Sequence, residues 1–443
     1  MNKRTFFWLA GLLSLQLPLV AACGGNFTQP GTSPGTSIHA PAAGSLYILD
    51  GYTAGRKTTQ QIVEFNPAQM NATTMTLPAG LTSVDHQRIY TAATSGGRTK
   101  ITVLDARTGV TLRAFSIPGT YSTSDRGVTD SMLSGDGHWL ALRALDQSPG
   151  TTSIVLLDTQ AGKLVKTIHL NGEFTLDALS PGGKILYLLE YYERGTSHYN
   201  VRAYNIAAGQ LAEGLIADKR QLGENMQGEA LTRQMAADGS TAYTLYINTA
   251  TNTAFIHILK LPDDISQNSG TPWPVIARCL DLPVGRSAAL LHYYTLTLSA
   301  NGSTLFAVNA ALGLVGRASV KTENAFDIDD PKTDHFTPEK SLVSGNDQAR
   351  LLHNGAALSP DGSRLYVVGL HGIWVLNPDS LHVQSTYMQK QIFTGVAVSP
   401  DGSTLYAVSP ETGITLLDAR SGQAQQVLKS PAHAPWGVEW ISK

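Results

Sequence analysis

A short turn motif recurs along most of the chain, and each copy is followed by a segment of mainly apolar residues. In its intact form, at 359–362 and 399–402, the motif reads Ser-Pro-Asp-Gly. Proline fixes φ at about −65°, aspartate folds its side chain onto the local backbone, and glycine supplies the positive φ that closes a hairpin. Altered copies lie at 83–85, 134–137, 180–183, 236–239 and 299–302. Each copy therefore predicts a β-hairpin.

A second kind of turn follows each hairpin. An apolar segment ends in Asp or Asn and leads into a turn of small residues, most often with glycine, as at 103–109, 156–162, 204–209 and 416–422. The two turns divide each unit into four short strands, and the units recur at about 40 to 60 residues. Four short strands per repeat are typical of a β-propeller blade. We expect an all-β fold with one propeller domain over residues 44–443.

The two ends of the repeat region complement each other. Residues 437–440 read as the first strand of a blade, whereas residues 46–49 read as a second strand without a first. A C-terminal strand that joins the N-terminal blade would close the ring and remove exposed sheet edges. With this shared blade the count favours eight blades, and seven is the alternative if a unit with a long insertion, such as 321–340, is divided wrongly. Two separate all-β domains are disfavoured, because no linker-like segment follows Gly44.

The repeats resemble those of YVTN-type and lactonase-like β-propellers. Leu-Tyr-Val-Val at 365–368 and Leu-Tyr-Ala-Val at 405–408 stand where those repeats carry Tyr-Val-Thr-Asn. The resemblance covers most of residues 44–443 and implies the propeller fold. It is less informative about function, because propellers of this type include surface proteins, interaction modules and, in the lactonase group, hydrolases.

The N-terminus has the order of an export signal over residues 1–22. Lys3 and Arg4 precede an apolar run at 6–20, and small residues then lead to Cys23. Val-Ala-Ala-Cys at 20–23 resembles a bacterial lipobox, which implies cleavage before the cysteine and its acylation by chains such as palmitate. An ordinary secretory signal and an uncleaved anchor helix are the alternatives, although a run of about 15 residues is short for a membrane-spanning helix.

The segment from Cys23 to residue 43 is rich in Gly, Ser, Thr and Pro, which predicts a flexible tether. We therefore expect a lipid-anchored protein of the cell envelope, on the extracytoplasmic side of a bacterial membrane. Gly24 carries no sign of retention at the inner membrane, so the choice between inner and outer membrane stays open. Cys279, the other cysteine, would have no disulfide partner and is predicted to be a small buried hydrophobe.

The charge balance argues against nucleic acid as a partner. The chain has 32 Lys and Arg against 34 Asp and Glu, a formal net charge of −2, so no basic field would attract a polyanion. The expected partners are the membrane, through the lipid anchor, and an envelope protein, a peptide or a glycan.

Propellers bind ligands at the central funnel, near the loop that leads into the first strand of each blade. The polar residues that precede predicted first strands are Arg126, Glu173, Glu229, His292, His353 and His433. Imidazoles and carboxylates on one rim could bind a divalent metal ion or form an acid–base pair. None of these residues has a short metal-binding spacing such as His-x-His, so we assign no cofactor and no catalytic residue, and keep a divalent metal as the minor alternative.

Two functions are compatible with these features. The favoured one is a non-enzymatic binding or scaffolding platform, because the chain has no nucleophile elbow, phosphate-binding loop or Cys-x-x-Cys motif. The other is a lactonase-like hydrolase with a metal or acid–base site in the funnel. The aromatic residues at 191–192, 293–294 and 436 would stack on a ligand or, as we favour, pack between blades. The acidic insertion at 322–340 is expected to be a solvated loop rather than a calcium site.

Overall fold

The computed structural model describes residues 44–54, 57–67, 73–123, 130–192, 197–218, 226–265, 276–320, 332–335, 355–369, 372–428 and 435–442. The chain forms two compact units, Met1–His39 and Ala40–Lys443, and every described residue lies in the second. The predicted signal sequence, Cys23 and the predicted tether lie outside the described residues, as do Arg126, His353 and His433. In the part of the chain that is described, no helix is long and apolar enough to cross a membrane.

Eight sheets are arranged in a ring and form an eight-bladed β-propeller, which confirms the predicted fold and excludes seven blades. The first half of the chain supplies blade A, with β1 (Leu46–Ala54), β2 (Lys57–Phe65) and β3 (Thr73–Pro78); blade B, with β4 (Leu81–Thr82), β5 (Arg88–Ser95), β6 (Arg98–Asp105) and β7 (Thr111–Pro118); blade C, with β8 (Ser131–Leu133), β9 (Trp139–Arg143), β10 (Thr151–Asp158) and β11 (Lys163–Asn171); and blade D, with β12 (Glu173–Leu179), β13 (Ile185–Tyr191), β14 (His198–Asn205) and β15 (Gln210–Leu211).

The second half begins with the short strands β16 (Ala217–Asp218) and β17 (Met226–Gln227) and continues with four blades. These are blade E, with β18 (Glu229–Met235), β19 (Thr241–Asn248), β20 (Thr253–Lys260) and β21 (Ile276–Asp281); blade F, with a 3₁₀ helix (Ala288–Tyr293), β22 (Tyr294–Leu298), β23 (Thr304–Asn309), β24 (Leu314–Ser319) and β25 (Lys332–His335); blade G, with β26 (Ala356–Leu358), β27 (Leu365–Gly369), β28 (Gly372–Leu376) and β29 (Val383–Tyr387); and blade H, with β30 (Gly395–Val398), β31 (Thr404–Ser409), β32 (Gly413–Asp418) and β33 (Ala424–Leu428). Because β25 lies in the acidic insertion, that insertion is in part the outer strand of blade F and not only a loop.

The last strand, β34 (Pro435–Ile441), is the innermost strand of blade A and confirms the predicted closure of the ring. Leu46 lies opposite Ile441 in an antiparallel pairing with β1. The Trp440 ring stacks between Tyr47 at 4.4 Å and His86 of blade B at 5.3 Å, measured between ring centroids. The C-terminus is therefore held by backbone pairing in blade A and by an aromatic stack that extends to blade B.

The repeated turn is closed by the side chain of its aspartate. In blade G, Asp361 Oδ1 accepts hydrogen bonds from Ser359 Oγ at 2.6 Å and from the Ser363 N–H at 3.0 Å. Gly362 has a φ of 71°, which a residue without Cβ adopts without strain. These hydrogen bonds, above all the one from Ser359, lower the pKa of Asp361 to about 2.

Neighbouring blades pack face to face through their middle strands. All eight residues of β19 are buried. Tyr246 belongs to the cluster between blades D and E, whereas Leu245 and Ile247 belong to the cluster between blades E and F. Both faces of the strand thus enter a core, which explains why the repeat carries nearly continuous apolar segments.

The tyrosine of the repeat joins each of three blades to the next. Its hydroxyl donates to a backbone carbonyl oxygen of the following blade: Tyr90 to Gly137 at 2.8 Å, Tyr187 to Pro262 at 3.1 Å and Tyr366 to Ala419 at 2.7 Å. A buried hydroxyl requires such a partner, because an unsatisfied polar group in a core is costly. The Tyr of the Leu-Tyr-Val-Val signature therefore connects these blades as well as filling the core.

Blades D and E are also joined by the chain that connects them. Strand β16 pairs in parallel with β21, the outer strand of blade E, and β17 pairs with β14 of blade D. Asp218 Oδ2 accepts the Cys279 N–H at 2.7 Å, and Cys279 is 7% exposed, as predicted for a buried hydrophobe. The boundary between these two blades is thus fastened along its outer edge.

Candidate functional site

The three described candidate residues lie where innermost strands begin. Glu173 is the first residue of β12 and Glu229 is the first residue of β18. His292 is in the 3₁₀ helix that leads directly into β22. Every blade has the same order of antiparallel strands, so the innermost strands all begin at one end of the ring, and the three residues lie at that end over blades D, E and F.

Glu229 and His292 form a pair across the boundary between blades E and F. Glu229 Oε1 lies 3.8 Å from His292 Nδ1, which is an ion-pair distance when the imidazole is protonated. The Glu229 side chain is 68% exposed and that of His292 is 31% exposed, so solvent has access to both. A carboxylate beside an imidazole is able to orient a polar group or to exchange a proton with it.

A β-bulge at Leu231 determines where the polar side chains of β18 point. Ala230 lies opposite Tyr246 and Thr232 lies opposite Leu245, so Leu231 has no partner in the ladder. The extra residue places Glu229 on the side of blade F and Arg233 on the side of blade D. Without the bulge, two residues four positions apart would face the same blade.

Arg233 connects three innermost strands below the rim. Its Nη2 donates to Asp177 Oδ1 of β12 at 2.8 Å, and its Nε donates to Thr244 Oγ1 of its own blade at 2.9 Å. The third contact is Nη1 to Met132 Sδ of β8 at 3.0 Å. The Arg233 side chain is 11% exposed and that of Asp177 is 2% exposed, so the ion pair is largely withdrawn from water.

Sequence reasoning missed Arg233 and Asp177, although a signal was present. Each is a charged residue inside a predicted first strand, at a position where the surrounding residues are mainly apolar. A charge at such a position is rarely buried without a partner. This pattern identifies the two residues, but not their pairing, because they are separated by 56 positions in the chain.

Glu173 contacts blade C. Its Oε1 accepts the Gly150 N–H at 2.9 Å, in the loop between β9 and β10. Its carboxylate thus holds a neighbouring loop in place, whereas that of Glu229 faces the imidazole. In the described ranges, no three or more His, Cys, Asp or Glu residues form a group that could hold a metal ion. His353 and His433 lie outside those ranges, so the divalent metal stays a prediction.

The rim aromatics mostly pack between blades. Tyr293, Tyr294 and Trp436 are between 0% and 7% exposed. Trp436 lies directly over Gly51, where any side chain would collide with the indole. Tyr192, in contrast, directly follows β13 and is 52% exposed, and its hydroxyl donates to Asn200 Oδ1 at 2.8 Å. Of these aromatic side chains, Tyr192 is the one presented to solvent for stacking.

A polar cavity of about 260 Å³ lies on the opposite face, between blades G and H. The two intact copies of the turn motif line it, through Asp361 and Asp401, together with Arg364 and Arg420. Arg364 Nη1 donates to the carbonyl oxygens of Ala419 at 3.1 Å and Arg420 at 2.9 Å. Arg364 therefore links the two blades, whereas Asp361 and Asp401 accept hydrogen bonds from serines of their own turns.

No known family model matches the chain, and no curated protein matches it either. Solved structures do match. The dihydro-heme d1 dehydrogenase NirN has a TM-score of 0.52 at 13% identity, covering 92% of this chain and 77% of its own. AztD of Citrobacter koseri has a TM-score of 0.49 at 11% identity, covering 89% and 97%. The periplasmic gluconolactonase PpgL of Pseudomonas aeruginosa has a TM-score of 0.44 at 14% identity, covering 90% and 99%. At 13% identity, the similarity to NirN shows the fold alone.

Proposed function

We propose that this chain is a lipoprotein of the bacterial cell envelope whose propeller binds a protein, peptide or glycan ligand at the funnel rim. The observation that carries the proposal is the Glu229–His292 pair, with 3.8 Å between carboxylate and imidazole and both side chains accessible to solvent. The two groups come from different blades, so they lie together only in the assembled ring and not in a single repeat.

The chemistry of the rim suits a polar ligand. A carboxylate accepts hydrogen bonds from sugar hydroxyls or peptide N–H groups, and an imidazole donates or accepts. Tyr192 offers an exposed ring for stacking in blade D. The Arg233 contacts hold the strand that carries Glu229, so the backbone of the site is ordered before a ligand binds.

The binding proposal is tested with full-length protein in detergent on arrays of peptides and glycans. The best probe is then titrated calorimetrically against wild type, Glu229→Gln and His292→Gln. We expect each substitution to weaken binding at least about tenfold. The matched control is Glu411→Gln, which removes an exposed carboxylate in the loop between β31 and β32, on the same end of the ring in blade H. Equal affinity of all four proteins, or no binding to any probe, contradicts the proposal.

The lipid anchor is tested separately through Cys23. Acylation of a cysteine at a cleaved signal would give stable attachment, because two or more acyl chains hold a protein at a membrane where one is marginal. Growth with an alkyne-tagged palmitate should label wild type, and the Cys23→Ser variant should lose both the label and the membrane fraction. Label on Cys23→Ser, or an unlabelled wild type, rules out this anchor.

A second candidate function is a lactonase-like hydrolase, favoured by the same acid–base pair. In that case one member of the Glu229–His292 pair would take a proton from the water that attacks the lactone carbonyl carbon, and a proton would pass to the ring oxygen as the bond between that oxygen and the carbonyl carbon breaks. A pH-stat assay with simple aldonolactones should show turnover that falls at least about a hundredfold in His292→Gln. Metal analysis of wild type, His353→Ala and Glu173→Ala tests whether a divalent ion takes part. No turnover above the uncatalysed rate excludes this function for these substrates.

A further inference from the structure

A buried polar cluster lies behind the funnel wall, at the boundary between blades D and E. Tyr246 is at its centre and is fully buried; its hydroxyl donates to Asp177 Oδ1 at 3.2 Å. The Tyr199 ring lies 5.7 Å from the Tyr246 ring, and the His257 ring lies 6.2 Å from it on the same blade as Tyr246. Asp177, Tyr199 and His257 are each at most 2% exposed.

Three polar atoms in this cluster have no hydrogen-bond partner among the described residues: Asp177 Oδ2, the Tyr199 hydroxyl and His257 Nδ1. A single unsatisfied polar atom in a core costs about 1 to 3 kcal/mol, so several around one ring require an explanation. The groups differ in chemistry, since the carboxylate only accepts, whereas the hydroxyl donates and accepts. They are complementary to a small ligand that both donates and accepts hydrogen bonds.

Charge restricts the identity of that ligand. The Asp177 carboxylate is already paired with the Arg233 guanidinium, so a cation at this place would lie beside a positive charge that is in the same buried region. Burial lowers the pKa of His257, which keeps the imidazole neutral, and burial raises the pKa of Tyr199 well above its ordinary value, which keeps the hydroxyl protonated. A neutral ligand of water size satisfies these conditions, and ordered waters in proteins commonly bind two to four such groups.

We propose that the boundary between blades D and E is a closed binding site for ordered water, with one water on Asp177 Oδ2 and the Tyr199 hydroxyl and a further one on His257 Nδ1. The site goes beyond ligand binding at the rim. Its waters complete the hydrogen bonding of Asp177, the residue that holds Arg233 in the funnel wall. The first water would link two residues of blade D, and the second would satisfy His257 of blade E.

A crystal structure of the protein that resolves ordered waters tests the site directly. We expect a density peak within hydrogen-bond distance of both Asp177 Oδ2 and the Tyr199 oxygen. Well-ordered side chains around a dry site, or a new rotamer that pairs the three atoms with protein groups, would overturn the proposal.

The substitution Tyr199→Phe gives a second test through the sign of its effect on thermal stability. If the hydroxyl binds the water, its removal takes away one of the two partners of that water and lowers Tm; if the hydroxyl is unsatisfied, its removal leaves Tm unchanged or raises it. The control is Tyr406→Phe, since the Tyr406 hydroxyl makes no hydrogen bond to a described residue. A lower Tm for Tyr199→Phe than for this control supports the water site, and an equal or higher Tm overturns it.

Discussion

The hydroxyl of Tyr366 donates a 2.7 Å hydrogen bond to the carbonyl oxygen of Ala419, which lies 53 residues later in the next blade. Tyr366 is the tyrosine of the repeated Leu-Tyr-Val-Val segment, and 1% of it is exposed. The same side chain thus fills the core of one blade and satisfies a carbonyl in the turn of its neighbour. The repeated segment therefore contributes contacts between blades as well as strand pairing within a blade.

Replacement of Tyr366 by Phe is expected to lower the free energy of unfolding by about 1 kcal/mol, because it leaves the Ala419 carbonyl with one partner fewer. Urea denaturation followed by tryptophan fluorescence measures the change. Tyr406→Phe removes a hydroxyl from the corresponding strand of blade H and should have a smaller effect. If both substitutions lower the free energy of unfolding equally, the hydrogen bond to Ala419 makes no specific contribution to stability.

Replacement of Arg233 by Met is expected to destabilise the propeller by about 3 to 5 kcal/mol, because it leaves the carboxylate of Asp177 buried without a cation. Urea denaturation is again the measurement. The double variant Arg233→Met, Asp177→Leu should recover much of the loss, since it removes both charges from the core. A cost below about 1 kcal/mol for the single variant would contradict a buried ion pair.

The turn aspartates predict a loss of stability in acid. Hydrogen bonds from Ser359 and Ser363 depress the folded pKa of Asp361 to about 2, below that of an unfolded aspartate at about 3.9. Its contribution is therefore fully present above the unfolded pKa and disappears as the pH falls through the folded pKa. The stability difference between wild type and Asp361→Asn should shrink between about pH 4 and pH 2, as measured by thermal unfolding at each pH. A difference that is constant over this range contradicts the assignment.

His86 occupies the place of the motif glycine in blade B and has a φ of 55°, a left-handed conformation that costs a residue with a Cβ about 1 kcal/mol. Its ring stacks on Trp440, with 6° between the ring planes. Both His86→Ala and His86→Gly remove the stacking, but only glycine also relieves the strain. We expect His86→Gly to be more stable than His86→Ala by about 1 kcal/mol in urea denaturation. The reverse order would show that the backbone at residue 86 is unstrained.

Much of the fold was predictable because its determinants are local. The turn motif places proline, aspartate and glycine within four residues, and the Asp361 hydrogen bonds form in the way this spacing predicts. The closing strand was predictable from residues 437–440, which resemble the first strand of a blade and indeed pair with β1. The candidate site was harder to predict from the sequence. Glu229 and His292 were placed on one rim, but their pairing with each other, and the contact of Glu173 with Gly150, depend on how neighbouring blades are oriented.

The sequence by itself determined the four-stranded blade and the strand that completes the ring, and it favoured eight blades over seven, because turn chemistry and short apolar segments act over a few positions. Only the tertiary structure decided which polar groups meet. Arg233 reaches Asp177 and Met132, which are 56 and 101 residues away, because the bulge at Leu231 turns its side chain toward blade D. A bulge inserts one extra residue into a strand whose side chains alternate between two faces. The packing between blades that stabilises this arrangement exists only once the ring has formed.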